Sequence, residues 1–118
     1  MDKETQVLKY LFDVSSSIKS IDFHLSSKRD YNLFIGNLTI QRAVERELEI
    51  IGEPISKLLK LEGAIQISYS RMIVDLRNKI IHSYNSVNND VIWKIIIKDI
   101  PILEKEITAL INQYSSRQ

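Results

Sequence analysis

Apolar residues early in the chain recur at alternating spacings of four and three, and this pattern restricts the fold more than any other feature. The spacings are 4, 3, 4, 3 and 4 in the set Val7, Leu11, Val14, Ile18, Ile21 and Leu25. Because an α-helix has about 3.6 residues per turn, such a set lies along one helix face. The pattern therefore predicts a long amphipathic helix over most of residues 3–25.

A second set of this kind predicts a second long helix. Its spacings are 4, 3, 4 and 3, in Val44, Leu48, Ile51, Ile55 and Leu58. Asp30 is a suitable N-cap, since its carboxylate can accept hydrogen bonds from the unpaired amides of a first turn. We expect this helix to run to about Lys60, with a disturbance near Pro54, which cannot donate to the carbonyl of Ile50.

The remainder of the chain indicates further helices. A third helix is predicted to carry Ile65, Met72, Ile73, Leu76, Ile80 and Ile81. Asn88 or Asn89 can cap a fourth helix, and Pro101 either kinks that helix or opens a fifth that continues through Tyr114. No alternating strand pattern occurs, and the chain has only three Gly and two Pro. The predicted fold class is all-α, an antiparallel bundle of four to five helices.

Length and composition limit the class of protein. A chain of 118 residues suits one domain, over residues 1–118, with a single core. Sixteen basic and fifteen acidic residues give a net charge of +1, so any basic site must be local. The chain has no Cys, which excludes disulfides and thiolate zinc sites. Early charged residues interrupt any signal peptide, and no apolar run approaches the roughly 20 residues of a membrane span. We expect a soluble cytoplasmic protein without a membrane partner.

The segment VIWKIII, residues 91–97, is apolar on more than one helical face. A small bundle core cannot easily absorb every side of such a helix. Two interpretations remain open at this point: a helix central to the bundle, or a homodimer interface.

The stretch RNKIIHSYNS, residues 77–86, places Arg77, His82 and Tyr84 near the end of the third helix. Arg77 and Tyr84 lie nearly in line on a helix, whereas His82 is rotated by about 140° from Arg77, so the three converge only if the helix loosens near His82. An ordinary explanation is available, because basic residues suit the negative end of a helix dipole and a Tyr there often packs its ring.

Two other kinds of site have little support in this stretch. With two histidines and no cysteine, the chain has few zinc ligands, although carboxylates could contribute. Ser83 and Ser86 lie close to His82, but no glycine-framed turn of the kind that presents a nucleophilic serine surrounds them.

Three stretches of the chain together resemble the HepT-like toxin family of the HEPN superfamily. They are AVERELEIIGEPISKL, RNKIIHSYNSVNNDVIWKII and DIPILEKEI, and the second contains the family's signature of Arg, four residues, His, one residue and Tyr. Two departures are visible. Pro54 follows Gly-Glu where the family usually has a small helix former, and ISYSRMIVDL lacks the Pro-Trp that usually precedes the signature.

The resemblance implies a HEPN-like toxin of a toxin–antitoxin pair. Such proteins are helical homodimers, alone or within a larger hetero-oligomer, that cut RNA without a metal or other cofactor, and the antitoxin is an MntA-like nucleotidyltransferase. By this resemblance Arg77 and His82 are catalytic, Tyr84 is the acceptor of AMP, and Asn78 matches the polar residue after the Arg. Glu53 is a further candidate for orienting the site, although a solvated helix acid needs no function.

The chemistry of metal-free RNA cleavage agrees with these residue types. It needs a base for the ribose 2′-hydroxyl, an acid for the leaving 5′-oxygen and a cation for the charge at phosphorus. Histidine can perform either proton transfer, and arginine presents a fork matched to phosphate oxygens. His24 is on the distant first helix, so a two-fold dimer would be needed to supply two copies of His82.

Two other functions remain open at the level of sequence. The chain could be a non-catalytic subunit that binds nucleotide or serves as substrate of its nucleotidyltransferase, with Arg77 holding phosphate. It could also be a purely structural helical adaptor.

Overall fold

A computed structural model describes residues 2–68, 70–82 and 88–117, with the side chains of 80–82 excepted. Its helices are α1 (Lys3–His24), α2 (Tyr31–Ile35), α3 (Leu38–Leu61), α4 (Ser70–His82), α5 (Asn89–Lys94) and α6 (Ile100–Ser115), with a π-helical turn at Ile95–Asp99. No strand occurs among these residues, and the predicted all-α fold class is confirmed. Within the same ranges, none of the helices has both the length and the apolar character needed to span a membrane.

Helix α1 lies between α3 and α6 in the bundle. It begins where Asp2 Oδ1 accepts a hydrogen bond of 2.8 Å from the Thr5 amide, an interaction that lowers the pKa of the Asp2 carboxyl. All six residues of the predicted apolar stripe are buried. The stripe faces α3 on one side and α6 on the other, so the prediction of this helix is confirmed.

The prediction of one helix from Asp30 to Lys60 is wrong, because the chain forms two. Asp30 Oδ1 does accept from the Leu33 amide at 3.2 Å, but it caps only the short helix α2. Asn37 then accepts from the Ile40 amide at 3.0 Å and starts α3. An asparagine side chain that bonds a nearby amide replaces the helical bond there, so the chain restarts instead of continuing.

The connection between α3 and α4 also differs from expectation. Helix α3 continues as an α-helix through the buried Pro54, so the expected disturbance does not end it. Ile65 is predicted on the third helix but lies in the connection, from which it and Ile67 fill the core. The Glu106 carboxylate on α6 accepts from the Ser68 amide at 3.1 Å and from Ser68 Oγ at 2.8 Å. This clamp holds the connection against the bundle just before α4 begins.

Helices α5 and α6 form one continuous helical segment with a π turn between them. Asn88, one of the two residues predicted as caps, begins α5, with its Oδ1 2.8 Å from the Asp90 amide. Pro101 lies in the first turn of α6. It has no N–H to donate to the Ile97 carbonyl, and its ring would clash with that carbonyl at the usual helical distance. The wider π turn before it relieves that crowding. Asp99 is buried in this turn, and the burial raises the pKa of its carboxyl.

The apolar segment at residues 91–97 is divided between core and surface. Ile92, Ile95 and Ile96 are buried, which fits a helix of the bundle. Val91 is 48% and Ile97 45% exposed, so part of this apolar surface is left open by the described part of the chain.

Candidate functional site

Arg77 of α4 lies directly against Gly52 of α3. A Cβ added to Gly52 would be 2.6 Å from the Cβ and 2.7 Å from the Cδ of Arg77, closer than carbon atoms pack. The absence of a side chain at Gly52 is therefore what allows α3 and α4 to approach this closely. The stem of Arg77 rests on the backbone of α3, and only its guanidinium reaches outward.

Glu53, the next residue of α3, binds that guanidinium. Arg77 Nη2 is 2.8 Å from Glu53 Oε2, and the two side chains are 26% and 47% exposed. The other carboxylate oxygen, Oε1, is 3.6 Å from Lys57 Nζ. Arg77 Nη1 is 3.5 Å from Asn78 Oδ1, at the outer limit of a hydrogen bond. The structure thus brings together three residues of the predicted site, Arg77, Glu53 and Asn78.

A cleft of about 500 Å³ opens beside this ion pair, between α1, α3 and α4. Its lining consists of Asp13, Ser16, Ser17, Arg46, Glu49, Ile50, Glu53, Pro54 and Arg77. Arg46 is paired with Glu49 at 2.9 Å, much as Arg77 is paired with Glu53. A guanidinium has five N–H donors, so each arginine retains donors for an anionic ligand in the cleft.

His82 and Tyr84 are only partly covered by the structure. Helix α4 remains α-helical up to His82, its last residue, whose side chain is not among those described. Tyr84 lies outside the described residues. The predicted convergence of both with Arg77 therefore stays a prediction. Among the described residues, no three His, Cys, Asp or Glu side chains cluster so as to hold a metal ion.

Sequence reasoning missed two parts of this site. One is Gly52, although a glycine inside a strongly helical stretch signals a close backbone approach. The other is the wall that α1 contributes through Asp13, Ser16 and Ser17. No local pattern marks these three, because their role depends on how α1 packs across α3.

A family model and several known proteins match this chain over most of its length. A family model described as ribonuclease HepT-like matches residues 14–110. A provisionally named RNase of Methanocaldococcus jannaschii is 35% identical over 103 residues, covering 86% of this chain and 93% of the relative. A second from the same organism is 33% identical over 109 residues, covering 90% and 88%.

A third relative is the provisionally named ribonuclease HepT of Thermococcus cleftensis. It is 31% identical over 105 residues, covering 86% of this chain and 92% of the relative. No solved structure matches the chain significantly. The chain belongs to the ribonuclease HepT-like family.

Replacing Gly52 with alanine should destabilise the protein and displace Arg77. Overpacking of this kind costs about 1–3 kcal/mol, more than the roughly 1 kcal/mol that alanine adds to helix stability. Chemical denaturation of Gly52→Ala should therefore give a free energy of unfolding lower by ~1 kcal/mol.

Gly63→Ala is the matched control, because an added Cβ there meets no heavy atom within 4 Å. Its free energy of unfolding should stay within about 0.5 kcal/mol of that of the wild type. Equal stability of the two variants would show that the contact between Gly52 and Arg77 does not restrict the packing of α3 and α4.

Proposed function

We propose that this chain is a metal-independent endoribonuclease, the toxin of a toxin–antitoxin pair. The observation that carries the proposal is the placement of Arg77, held over Gly52 and paired with Glu53 at the edge of an open cleft. Family membership and the RNase names of its relatives support the same activity.

Arg77 is proposed to bind the scissile phosphate. Glu53 occupies one terminal nitrogen of the guanidinium and leaves other N–H donors free for the substrate. Such a fork can bond two phosphate oxygens at once, and its charge offsets the negative charge that develops at phosphorus. Glu53 is a positioning residue here, since it restrains the guanidinium without contacting the substrate, and Asn78 supports the same group from α4.

His82 is proposed to transfer the protons. One copy removes the proton of the ribose 2′-hydroxyl as that oxygen attacks phosphorus, and a second copy protonates the 5′-oxygen as its bond to phosphorus breaks. The products are a 2′,3′-cyclic phosphate and a 5′-hydroxyl, and no cofactor takes part. Because the signature contains one His, the two copies come from two subunits around a two-fold axis.

Exposed apolar residues of α5 and the π turn support a homodimer. Val91 and Ile97 remain about half exposed, and Ile97 lines a groove together with Trp93. Apolar surface of this kind on a small soluble chain is commonly covered by a partner.

RNA incubated with the wild type in excess chelator should be cut, and His82→Ala should remove the activity while the protein stays folded. The pH range to examine runs from about 6 to about 8, where histidine titrates. At a constant total protein concentration, replacing part of the wild type with His82→Ala should lower the activity more than in proportion to the fraction replaced, because each mixed dimer has a single His82.

Absence of cleavage at every pH in that range would overturn the ribonuclease and favour the nucleotide-binding or substrate subunit of a nucleotidyltransferase. A decrease in cleavage that is only proportional to the fraction of wild type replaced with His82→Ala would overturn the shared dimeric site. In either case circular dichroism of His82→Ala checks that its helices are intact.

Tyr84 is proposed to be the switch on this activity. Its position in the signature is the one that the antitoxin, an MntA-like nucleotidyltransferase, would modify with AMP. The attached phosphate would compete with RNA for Arg77, and the adenosine would fill space that the RNA must enter. Activity would fall by occlusion and charge, without unfolding.

Co-expression with an MntA-like nucleotidyltransferase should add the mass of AMP to the chain. Tyr84→Phe should lack the added mass, because phenylalanine has no hydroxyl to accept it, and should retain cleavage in the presence of the antitoxin. Mass spectrometry of the intact proteins makes the comparison. An AMP adduct that persists in Tyr84→Phe would contradict the assignment.

A further inference from the structure

We propose that Lys9, Tyr10 and Lys57 form a stacking subsite for a nucleotide next to the scissile phosphate of single-stranded RNA. This subsite, called the Tyr10 subsite below, rests on the proposed ribonuclease function and extends its cleft along α1 and α3. An unpaired base would stack on the Tyr10 ring, and the adjoining phosphate would bind the ammonium groups of the two lysines.

Two cations from different helices approach the same aromatic ring. Lys9 Nζ lies 5.1 Å and Lys57 Nζ 5.6 Å from the centroid of Tyr10. Tyr10 is half-buried and packs against the core, so its ring has a fixed position, whereas both lysines are well exposed. Both ammonium groups lie over the ring, and a base stacks there when the lysines turn to its phosphate. Proteins bind single strands by such base stacking and phosphate contact together.

Two ion pairs link the Tyr10 subsite to residues that line the cleft at Arg77. Lys57 Nζ is 3.6 Å from one oxygen of Glu53, and the other oxygen is 2.8 Å from Arg77 Nη2. Lys9 Nζ is 3.0 Å from Oδ2 of Asp13, which lines the cleft. A strand whose phosphate lies on Arg77 can therefore follow the cleft wall to the Tyr10 ring.

The lysines can exchange their present partners for phosphate. Their ion pairs are formed by side chains about half exposed, and pairs of that kind contribute little to stability. Because the whole chain carries a charge of only +1, attraction for RNA must come from such local groups. Duplex RNA has no unstacked base to place on the ring, so the ligand is single-stranded.

The experiment compares two matched pairs of variants in a His82→Ala background, where RNA stays intact. Phe12 is on the same helix as Tyr10 and 52% exposed, but it lines a separate groove between α1 and α6 together with Lys19 and Lys105. Tyr10→Leu is therefore matched by Phe12→Leu. The double variant Lys9→Ala/Lys57→Ala is matched by Lys19→Ala/Lys105→Ala, which removes the same charge.

The affinity of each variant for a single-stranded RNA oligonucleotide is measured at several salt concentrations. Tyr10→Leu should bind roughly tenfold more weakly, as expected when one base can no longer stack, and Tyr10→Phe should bind as the parent does. The lysine double variant should also flatten the dependence of log affinity on log salt, by about 0.7 for each phosphate that the protein no longer neutralises. The Phe12 and Lys19/Lys105 controls should bind nearly as the parent does.

Equal decreases in affinity in the test and control variants, or an unchanged affinity in Tyr10→Leu, would overturn the Tyr10 subsite. Tyr10→Phe guards against misfolding, because it retains the packing of the ring. The result is separable from the proposed activity. Selectively weakened binding with no cleavage by the wild type would reject the ribonuclease and leave the subsite, whereas cleavage with unchanged binding would reject the subsite alone.

Discussion

The close contact between α3 and α4 at Gly52 is the constraint on which the candidate site depends. A glycine in the middle of a helix costs about 1 kcal/mol relative to alanine. Here the missing Cβ leaves the space into which the stem of Arg77 packs. Because Glu53 is the next residue, the same approach that admits the stem also places a carboxylate 2.8 Å from the guanidinium. Two adjacent residues thus fix both ends of Arg77: Gly52 receives its aliphatic stem, and Glu53 pairs with its guanidinium.

The rest of the bundle holds these two helices in place. The apolar stripe of α1 packs on α3 and α6, so α1 contributes both to the core and to one wall of the cleft. Glu106 of α6 clamps the connection that leads into α4, and Asn37 determines where α3 begins. The position of Arg77 therefore depends on polar contacts at the helix ends as well as on the core.

Much of this fold could be predicted from the sequence, because the regular spacing of apolar residues within a short stretch is enough to indicate a helix. The stripes of α1 and α3 and the cap at Asn88 belong to this part. The break before Asn37 is not predicted, because it depends on an asparagine side chain that competes with the helical hydrogen bonds there. Ile65 is wrongly assigned to a helix, because the sequence does not distinguish a buried apolar residue in a loop from one in a helix. The π turn before Pro101 was also unforeseen, since it is a response to local crowding.

For the site too, the sequence indicates which residues are candidates but not how tertiary packing arranges them. Arg77, Asn78 and Glu53 were candidates from sequence, and the structure brings the three together. Their geometry was not predictable, because it depends on which residue of α3 faces Arg77. The wall that α1 contributes to the cleft arises only from packing across helices.

The central claim is that Arg77, and not merely a basic surface, acts on the phosphate. Arg71 allows a direct comparison, since it lies on the same helix but lines a different groove. The measurement is kcat/KM for RNA cleavage in excess chelator by Arg77→Ala and Arg71→Ala. We expect kcat/KM to fall on the order of a hundredfold or more in Arg77→Ala, as for removal of a group that stabilises charge in the transition state, and to stay near wild type in Arg71→Ala. Similar decreases in both variants, or full activity in Arg77→Ala, would contradict the claim.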